Sequence, residues 1–112
     1  MILLLLSLLA CDEAPDPCED MCAQAAAVQC GCLDEWGADW SDIGYSSQED
    51  FFGSCETWAW QMRLLEEDAV DRGLLQQPGA VDQTCEQRAA VLQEARGCKD
   101  WTAIDWRETP WD

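Results

Sequence analysis

Residues 16–32, with the sequence DPCEDMCAQAAAVQCGC, combine a helix-forming pattern with four of the eight cysteines in the chain. Asp16 suits the N-cap, Pro17 suits the first helical position, and the acidic residues that follow suit the positive end of a helix dipole. The alanine-rich middle has a high helix propensity. This stretch predicts a first helix that runs from residue 17 to residues 28–30 and ends at Gly31.

Two further helices are predicted downstream. Ser47 and Asp50 have the spacing of a capping box, and Arg72-Gly73 is typical of a helix end, so the second helix should run from about Gln48 to Arg72. Its apolar residues recur every three or four positions and are Phe51, Phe52, Cys55, Trp58, Ala59, Met62, Leu65 and Ala69. After a turn at Pro78-Gly79, a third helix should extend to Ala95 before Gly97, with the apolar residues Val81, Cys85, Ala89 and Leu92.

The remaining segments show no sustained periodicity. Residues 33–46 are predicted to form a loop that is pinned by Trp36, Trp40, Ile43 and Tyr45. Residues 100–112 are expected to form an irregular, tryptophan-rich C-terminal tail. Because no segment alternates like a strand, the sequence predicts an all-α fold, a small disulfide-stapled antiparallel three-helix bundle within residues 18–112.

Seven cysteines follow Cys11, and they are Cys18, Cys22, Cys30, Cys32, Cys55, Cys85 and Cys98. This density in an exported domain is typical of a disulfide framework, which supplements the modest core of a small chain. Because seven is odd, three bridges would leave one thiol unpaired.

The order of helices limits which cysteines can meet, because bridged Cα atoms lie within roughly 7 Å of each other. In an up-down-up bundle the end of the first helix meets the start of the second. This arrangement predicts a bridge from Cys30 or Cys32 to Cys55.

The first and third helices of such a bundle run parallel. Cys18 or Cys22 is therefore expected to pair with Cys85, since both lie near helix starts. Cys98 should pair with whichever of the cysteines at 30 and 32 is left. The unpaired thiol is then expected at Cys18 or Cys22.

The chain is strongly acidic, with 23 acidic residues, 6 basic residues and a net charge of −17. Such a surface repels the phosphates of nucleic acids and anionic lipid headgroups. No nucleic-acid partner is therefore expected.

The first eleven residues, MILLLLSLLAC, contain an apolar run followed by a small residue and a cysteine, without the basic start that export signals normally carry. Their apolar run is too short to span a bilayer, which takes roughly 20 residues, but it suits the apolar core of a signal, which takes about 7–15. The stretch Leu8-Leu9-Ala10-Cys11 resembles the lipobox of bacterial lipoproteins. The alternatives are an ordinary secretory signal that ends near Ala10 and a buried N-terminal helix.

The lipobox resemblance implies a location in the cell. Residues 1–10 would be removed, and Cys11 would become a lipid-modified N-terminus whose several acyl chains hold the protein at the membrane. Residues 11–17 would form an acidic tether. The expected location is the bacterial cell envelope, lipid-anchored and facing the periplasm or the cell exterior.

The sequence offers little for catalysis. It contains no histidine, which removes the commonest general base, the usual partner of serine and cysteine nucleophiles, and the commonest transition-metal ligand. Neighbouring carboxylates such as Glu66-Glu67-Asp68 are expected in so acidic a chain and suit a solvated helix face. We therefore expect neither enzymatic activity nor a cofactor.

Metal and redox roles remain as alternatives. A calcium loop would use four acidic residues, Asp34, Glu35, Asp39 and Asp42, but their spacing departs from the EF-hand pattern. A copper(I) site would use Cys18 and Cys22 with Met21 or Met62. Cys30-Gly31-Cys32 suggests a redox pair, although a helix C-terminus in an acidic chain disfavours the thiolate. Structural bridges are the favoured interpretation, and no metal site is expected.

The tryptophans are unusually numerous, at seven. Trp58 is expected to fill the helical core, because a thin core needs large side chains. Trp106 and Trp111 lie on the tail, which has few other anchors, and are candidates for contact with a protein partner.

Taken together, the chain is similar to the small, cysteine-rich helical lipoproteins that deltaproteobacteria, including myxobacteria, encode. The resemblance is carried by the Leu-Leu-Ala-Cys start, by Cys18-x3-Cys22-x7-Cys30, and by Cys55, Cys85 and Cys98. It implies no particular activity. We expect a non-catalytic envelope lipoprotein with a structural or protein-binding role, and the alternative is a thiol-redox or copper(I)-handling periplasmic protein.

Overall fold

The computed structural model describes residues 16–94 and residue 98. It contains three α-helices, α1 (Pro17–Trp36), α2 (Gln48–Asp71) and α3 (Ala80–Gln93), and a 3-10 helix (Trp40–Ile43) between α1 and α2. The described part of the chain contains no strand, and the predicted all-α, disulfide-stapled bundle is confirmed. The predictions for Cys11, Trp106 and Trp111 lie outside the described residues.

The helix starts follow the local sequence as predicted. At the start of α1 the Asp16 carboxylate accepts a hydrogen bond of 2.8 Å from the backbone N–H of Cys18. At the start of α2 the Ser47 hydroxyl accepts one of 3.1 Å from the N–H of Asp50. Each bond satisfies a backbone donor that the first turn of a helix leaves unpaired.

The predicted end of α1 at Gly31 is wrong, because the helix continues to Trp36 and ends at Gly37, which has φ = 67°. Residues 33–36 are therefore helical rather than part of a loop. The physical reason is burial, since Cys32 and Leu33 are only 2% and 3% exposed. Burying a leucine side chain gains about 1.5–3 kcal/mol, more than the roughly 1 kcal/mol that one glycine costs a helix.

The other helix ends lie close to their predicted positions. α2 ends at Asp71, with Arg72 as its C-cap. α3 ends at Gln93, two residues before the predicted end. The predicted inward stripe of α2 is correct except for Leu65, which is 51% exposed. The face that meets the other helices instead passes through Glu66, one position further along.

The predicted up-down-up order of the helices is confirmed by pairs of contacts along their lengths. Cys22 bonds to Cys55, whereas Asp16, further back along α1, contacts Arg63, further forward along α2, so these helices are antiparallel. Glu66 of α2 contacts Val81 near the start of α3, whereas Trp58, further back along α2, contacts Arg88, further forward along α3, so these helices are antiparallel as well. α1 and α3 are therefore parallel.

The core that these helices enclose is built largely from small side chains and disulfides. Its buried residues include Ala25, Ala59 and Ala89 together with Met21, Val81 and Leu92. Trp58, which was expected to fill the core, instead packs against the edge of this cluster and remains partly exposed. Within the described residues, no helix is both long enough and apolar enough to cross a bilayer.

Glu66 is a buried carboxylate on α2 that caps another helix. It is 8% exposed and accepts hydrogen bonds from the backbone N–H groups of Gly79 (3.2 Å) and Val81 (2.9 Å). Gly79 is the N-cap of α3 and offers no side chain for capping. Glu66 therefore supplies from α2 the acceptor that α3 lacks, and it joins the two helices.

We predict that Glu66→Ala lowers the free energy of unfolding by about 1–3 kcal/mol, because the buried N–H of Val81 and the N–H of exposed Gly79 lose their acceptor. Glu66→Gln should lose less, since it keeps one oxygen. The measurement is urea unfolding followed by far-UV circular dichroism. The exposed neighbour Glu67, changed to Ala, is the control. A loss for Glu66→Ala no larger than that for Glu67→Ala would refute the capping role.

Candidate functional site

The cysteines form three bridges, of which two match the predicted pairings. Cys18 bonds to Cys85 and Cys32 to Cys98, with Cα–Cα distances of 4.9 and 5.5 Å. The prediction that Cys30 or Cys32 pairs with Cys55 is wrong.

The third bridge instead joins Cys22 to Cys55, with a Cα–Cα distance of 5.7 Å. The prediction that Cys18 or Cys22 stays unpaired is wrong as well. Among the described cysteines, the free thiol is Cys30, which is exposed.

The path of the connection between α1 and α2 explains the error. The prediction for Cys55 assumes that α2 begins level with the end of α1. Instead the connection folds back along α1, so that Ile43 and Tyr45 border the same cavity as Gln29. α2 therefore starts beside the middle of α1, which places Cys55 level with Cys22.

Aromatic contacts hold this connection in place. The rings of Trp40 and Tyr45 pack on Phe51 of α2, with centroid distances of 5.3 and 5.0 Å. Two of the predicted anchoring residues, Trp40 and Tyr45, therefore have this role. Trp36 does not, because it lies on the last turn of α1 and is 51% exposed.

The predicted redox and copper residues are not assembled for those roles. Cys30 is exposed, whereas Cys32 is buried and bonded to Cys98. Residues two apart on a helix point in directions that differ by roughly 200°, so Cys30 does not face that bridge. Cys18 and Cys22 belong to separate disulfides, and neither offers a thiolate to a metal ion in this structure.

The four acidic residues of the calcium hypothesis are divided between two elements and do not converge. Asp34 and Glu35 lie on the last turn of α1, whereas Asp42 belongs to the 3-10 helix and Asp39 is its N-cap. The Asp42 carboxylate accepts a hydrogen bond of 2.7 Å from the backbone N–H of Asp39, so it caps its own helix.

In the described part of the chain, one group of side chains has the spacing of metal ligands, and its atoms already have partners. The group consists of Asp16, Cys18 and Asp82. The sulfur of Cys18 is bonded to Cys85, and both carboxylates contact the guanidinium of Arg63. The arginine supplies the positive charge that a metal ion would otherwise bring.

Arg63 joins the starts of α1 and α3 to the middle of α2. It donates two hydrogen bonds to Asp16, of 2.7 and 3.0 Å, and two to Asp82, of 2.8 and 3.2 Å. The bonds from Arg63 hold the pKa of Asp16 below its usual value, although desolvation opposes them. In turn, the bonds to Asp16 raise the pKa of the arginine.

An opening with a mainly apolar lining lies between α1, α2 and the connection. Its volume is about 400 Å³, and its walls include Met21, Ala25, Tyr45, Phe51 and Trp58. Gln29 also borders it and is only 4% exposed. This site was not predicted from the sequence. One pattern in the sequence could have indicated it. Gln29 follows Met21 and Ala25 at four-residue spacing, so this polar side chain lies on the apolar face of α1.

Comparisons with known proteins add no family to this description. No protein-family model matches the sequence, and no significant match was found among curated proteins or among solved structures.

We predict that the oxidised Cys11→Ser protein contains one free thiol, that of Cys30, when it is denatured without reductant. After reduction it should show seven, because Cys30 and the six bridged cysteines then react. Thiol counting and peptide mapping measure both quantities. Cys30→Ser should remove the free thiol and leave the three bridges unchanged. Several thiols before reduction, or a peptide linking Cys30 to Cys55, would overturn this pairing.

We predict that Asp16→Asn destabilises the protein by up to about 1 kcal/mol at pH 7 and much less at pH 2. The lowered pKa means that the ionised carboxylate stabilises the fold above its unfolded pKa of about 3.9. This contribution is lost as the pH falls through the lower folded-state pKa. Asparagine remains a good N-cap, so the change isolates the contact with Arg63.

The measurement is urea unfolding of both proteins at several pH values between 2 and 7. The quantity to compare is the difference in unfolding free energy between Asp16→Asn and wild type at each pH, because protonation also relieves the repulsion among the many carboxylates in both proteins. Asp20→Asn, in the same turn, is the control; Asp20 is exposed and accepts a hydrogen bond from Gln24. A difference between Asp16→Asn and wild type that is independent of pH would show that the ion pair contributes nothing.

Proposed function

We propose that this protein is a lipid-anchored, non-catalytic protein of the bacterial envelope with a structural or protein-binding role. The observation that carries the proposal is the covalent framework, in which α1 is bonded to both α2 and α3. Disulfides of this kind persist in oxidising compartments outside the cytosol. The lipobox-like residues that end at Cys11 supply the anchor, and the short tether would hold the domain near the membrane.

The non-catalytic part of the proposal is supported by how the chain uses its carboxylates. In the described residues, Asp16 and Asp82 bind Arg63, and Glu66 and Asp42 accept hydrogen bonds from backbone N–H groups. Each of these contacts stabilises a helix start or joins two helices. The acidic side chains with close contacts therefore serve the fold.

A protein-binding role is supported by apolar side chains on the outer surface of α2. Trp60 and Leu64 lie one turn apart and are 62% and 48% exposed. Large exposed apolar side chains of this kind can anchor a partner, and the net charge of −17 would favour a partner with a basic surface. Trp106 and Trp111 remain candidates for the same role.

We predict that Cys11→Ser abolishes membrane attachment while the helical fold and the three bridges persist. The reason is that only the cysteine thiol can receive the lipid, whereas the folded domain begins after the tether. Detergent-phase partitioning of protein expressed in a bacterial host measures attachment, and far-UV circular dichroism measures the fold. Cys30→Ser, which removes a thiol outside the lipobox, is the control and should partition like wild type. Equal partitioning of the Cys11→Ser protein and wild type would sink the lipoprotein proposal.

A further inference from the structure

The cavity between α1 and α2 has a buried amide among mainly apolar side chains. Gln29 borders it and is 4% exposed, and its side-chain amide makes no hydrogen bond to the residues that the structure describes. A buried amide has both donors and an acceptor, and leaving them unpaired costs about 1–3 kcal/mol. A ligand group that forms a hydrogen bond with this amide would recover this free energy.

The side chains that form the walls indicate the shape and polarity of a suitable ligand. Three aromatic rings, those of Tyr45, Phe51 and Trp58, border the cavity together with the thioether of Met21. Aromatic rings and methionine sulfur favour contact with flat, apolar molecules. The volume of about 400 Å³ lies within the range of small-molecule sites, which is roughly 300–1,000 Å³.

The charges around the cavity indicate that the ligand is uncharged. Among the described residues, no acidic or basic side chain lines the cavity, so these walls offer a buried ion no counter-charge to offset its large desolvation cost. The net charge of −17 adds a long-range repulsion of anions. The Trp58 ring already has a cation near it, since the guanidinium carbon of Arg88 lies 5.2 Å from its centroid.

We infer that this cavity binds a small, neutral ligand that has an aromatic body and one hydrogen-bonding group directed at the Gln29 amide. This role goes beyond the structural or protein-binding role proposed above. It does not depend on the lipid anchor, so either proposal can fail without the other.

The experiment uses two fluorescent probes with the same ring system. N-phenyl-1-naphthylamine is neutral and carries one N–H donor, whereas 8-anilinonaphthalene-1-sulfonate adds a sulfonate. Each is titrated into the oxidised Cys11→Ser protein in the absence of detergent. The neutral probe should bind saturably at one site per chain, and the anionic probe should bind at least about tenfold more weakly, a ratio that corresponds to about 1.4 kcal/mol.

Matched variants connect the binding to the cavity. Gln29→Met keeps the length of the side chain, removes the amide, and should weaken binding of the neutral probe about tenfold. Gln24→Met is the control on the same helix, because Gln24 borders no part of the cavity and bonds to Asp20 on the surface. It should leave the affinity within about twofold of wild type, since it is remote from the site.

A second pair of variants tests the location without touching the amide. Ser54 is an exposed residue that borders the cavity, so Ser54→Phe should fill its entrance and abolish saturable binding. Thr57→Phe, on the same helix but outside the cavity lining, should bind the probe like wild type. Far-UV circular dichroism and the free-thiol count show whether each variant is folded.

Four results would overturn the inference. They are the absence of saturable binding of the neutral probe, equal or tighter binding by folded Gln29→Met, equal affinity for the anionic probe, and binding that appears only after Trp106 and Trp111 are changed to alanine. The last result would mean that the tail of the chain is the occupant of the cavity in solution.

Discussion

α1 is covalently bonded to both of the other helices, and this constraint is what allows so small a core to hold a fold together. Alanines and half-cystines make up much of the buried surface, and each contributes little apolar area. Each bridge adds roughly 2–4 kcal/mol by restricting the unfolded chain, whereas a folded domain has a net stability of only about 5–15 kcal/mol. The bridges therefore account for a share of the stability comparable to the whole net value, and the small side chains let the helices approach closely enough for the bridges to form.

The polar contacts complete this framework where the bridges leave helix starts unsupported. Arg63 is one of only six basic residues, and it contacts carboxylates from the starts of two helices. Glu66 binds the backbone at the start of α3. In a chain with a net charge of −17, Arg63 offsets the repulsion between two carboxylates, and Glu66 lies at the positive end of the α3 dipole, so both α2 residues join elements. α2 thus joins the other helices through side-chain chemistry as well as through the Cys22–Cys55 bridge.

Local signals in the sequence were sufficient for the helix starts, whereas the end of α1 and the path of the connection between α1 and α2 were not predicted correctly. The caps at Asp16 and Ser47 and the apolar spacing on α3 depend on neighbours within a few residues, so they could be predicted. The partner of Cys55 depends on how far residues 37–47 fold back along α1, and that path is set by ring contacts on Phe51 across the fold. The cavity beside Gln29 has the same origin, because its walls come from three segments that only this path brings together.

The cavity and the disulfide framework are parts of one arrangement. Cys55 borders the cavity, and its bridge to Cys22 fixes α2 against α1 where Met21 and Ala25 form the opposite wall. After reduction of this bridge, α1 and α2 would be joined only by the thin apolar contact between them and by the Arg63–Asp16 ion pair at one end. The connection would also lose its support, since Tyr45 rests on Phe51, one turn from Cys55. The binding geometry therefore belongs to the oxidised protein, which ties the cavity to the kind of compartment in which these disulfides persist.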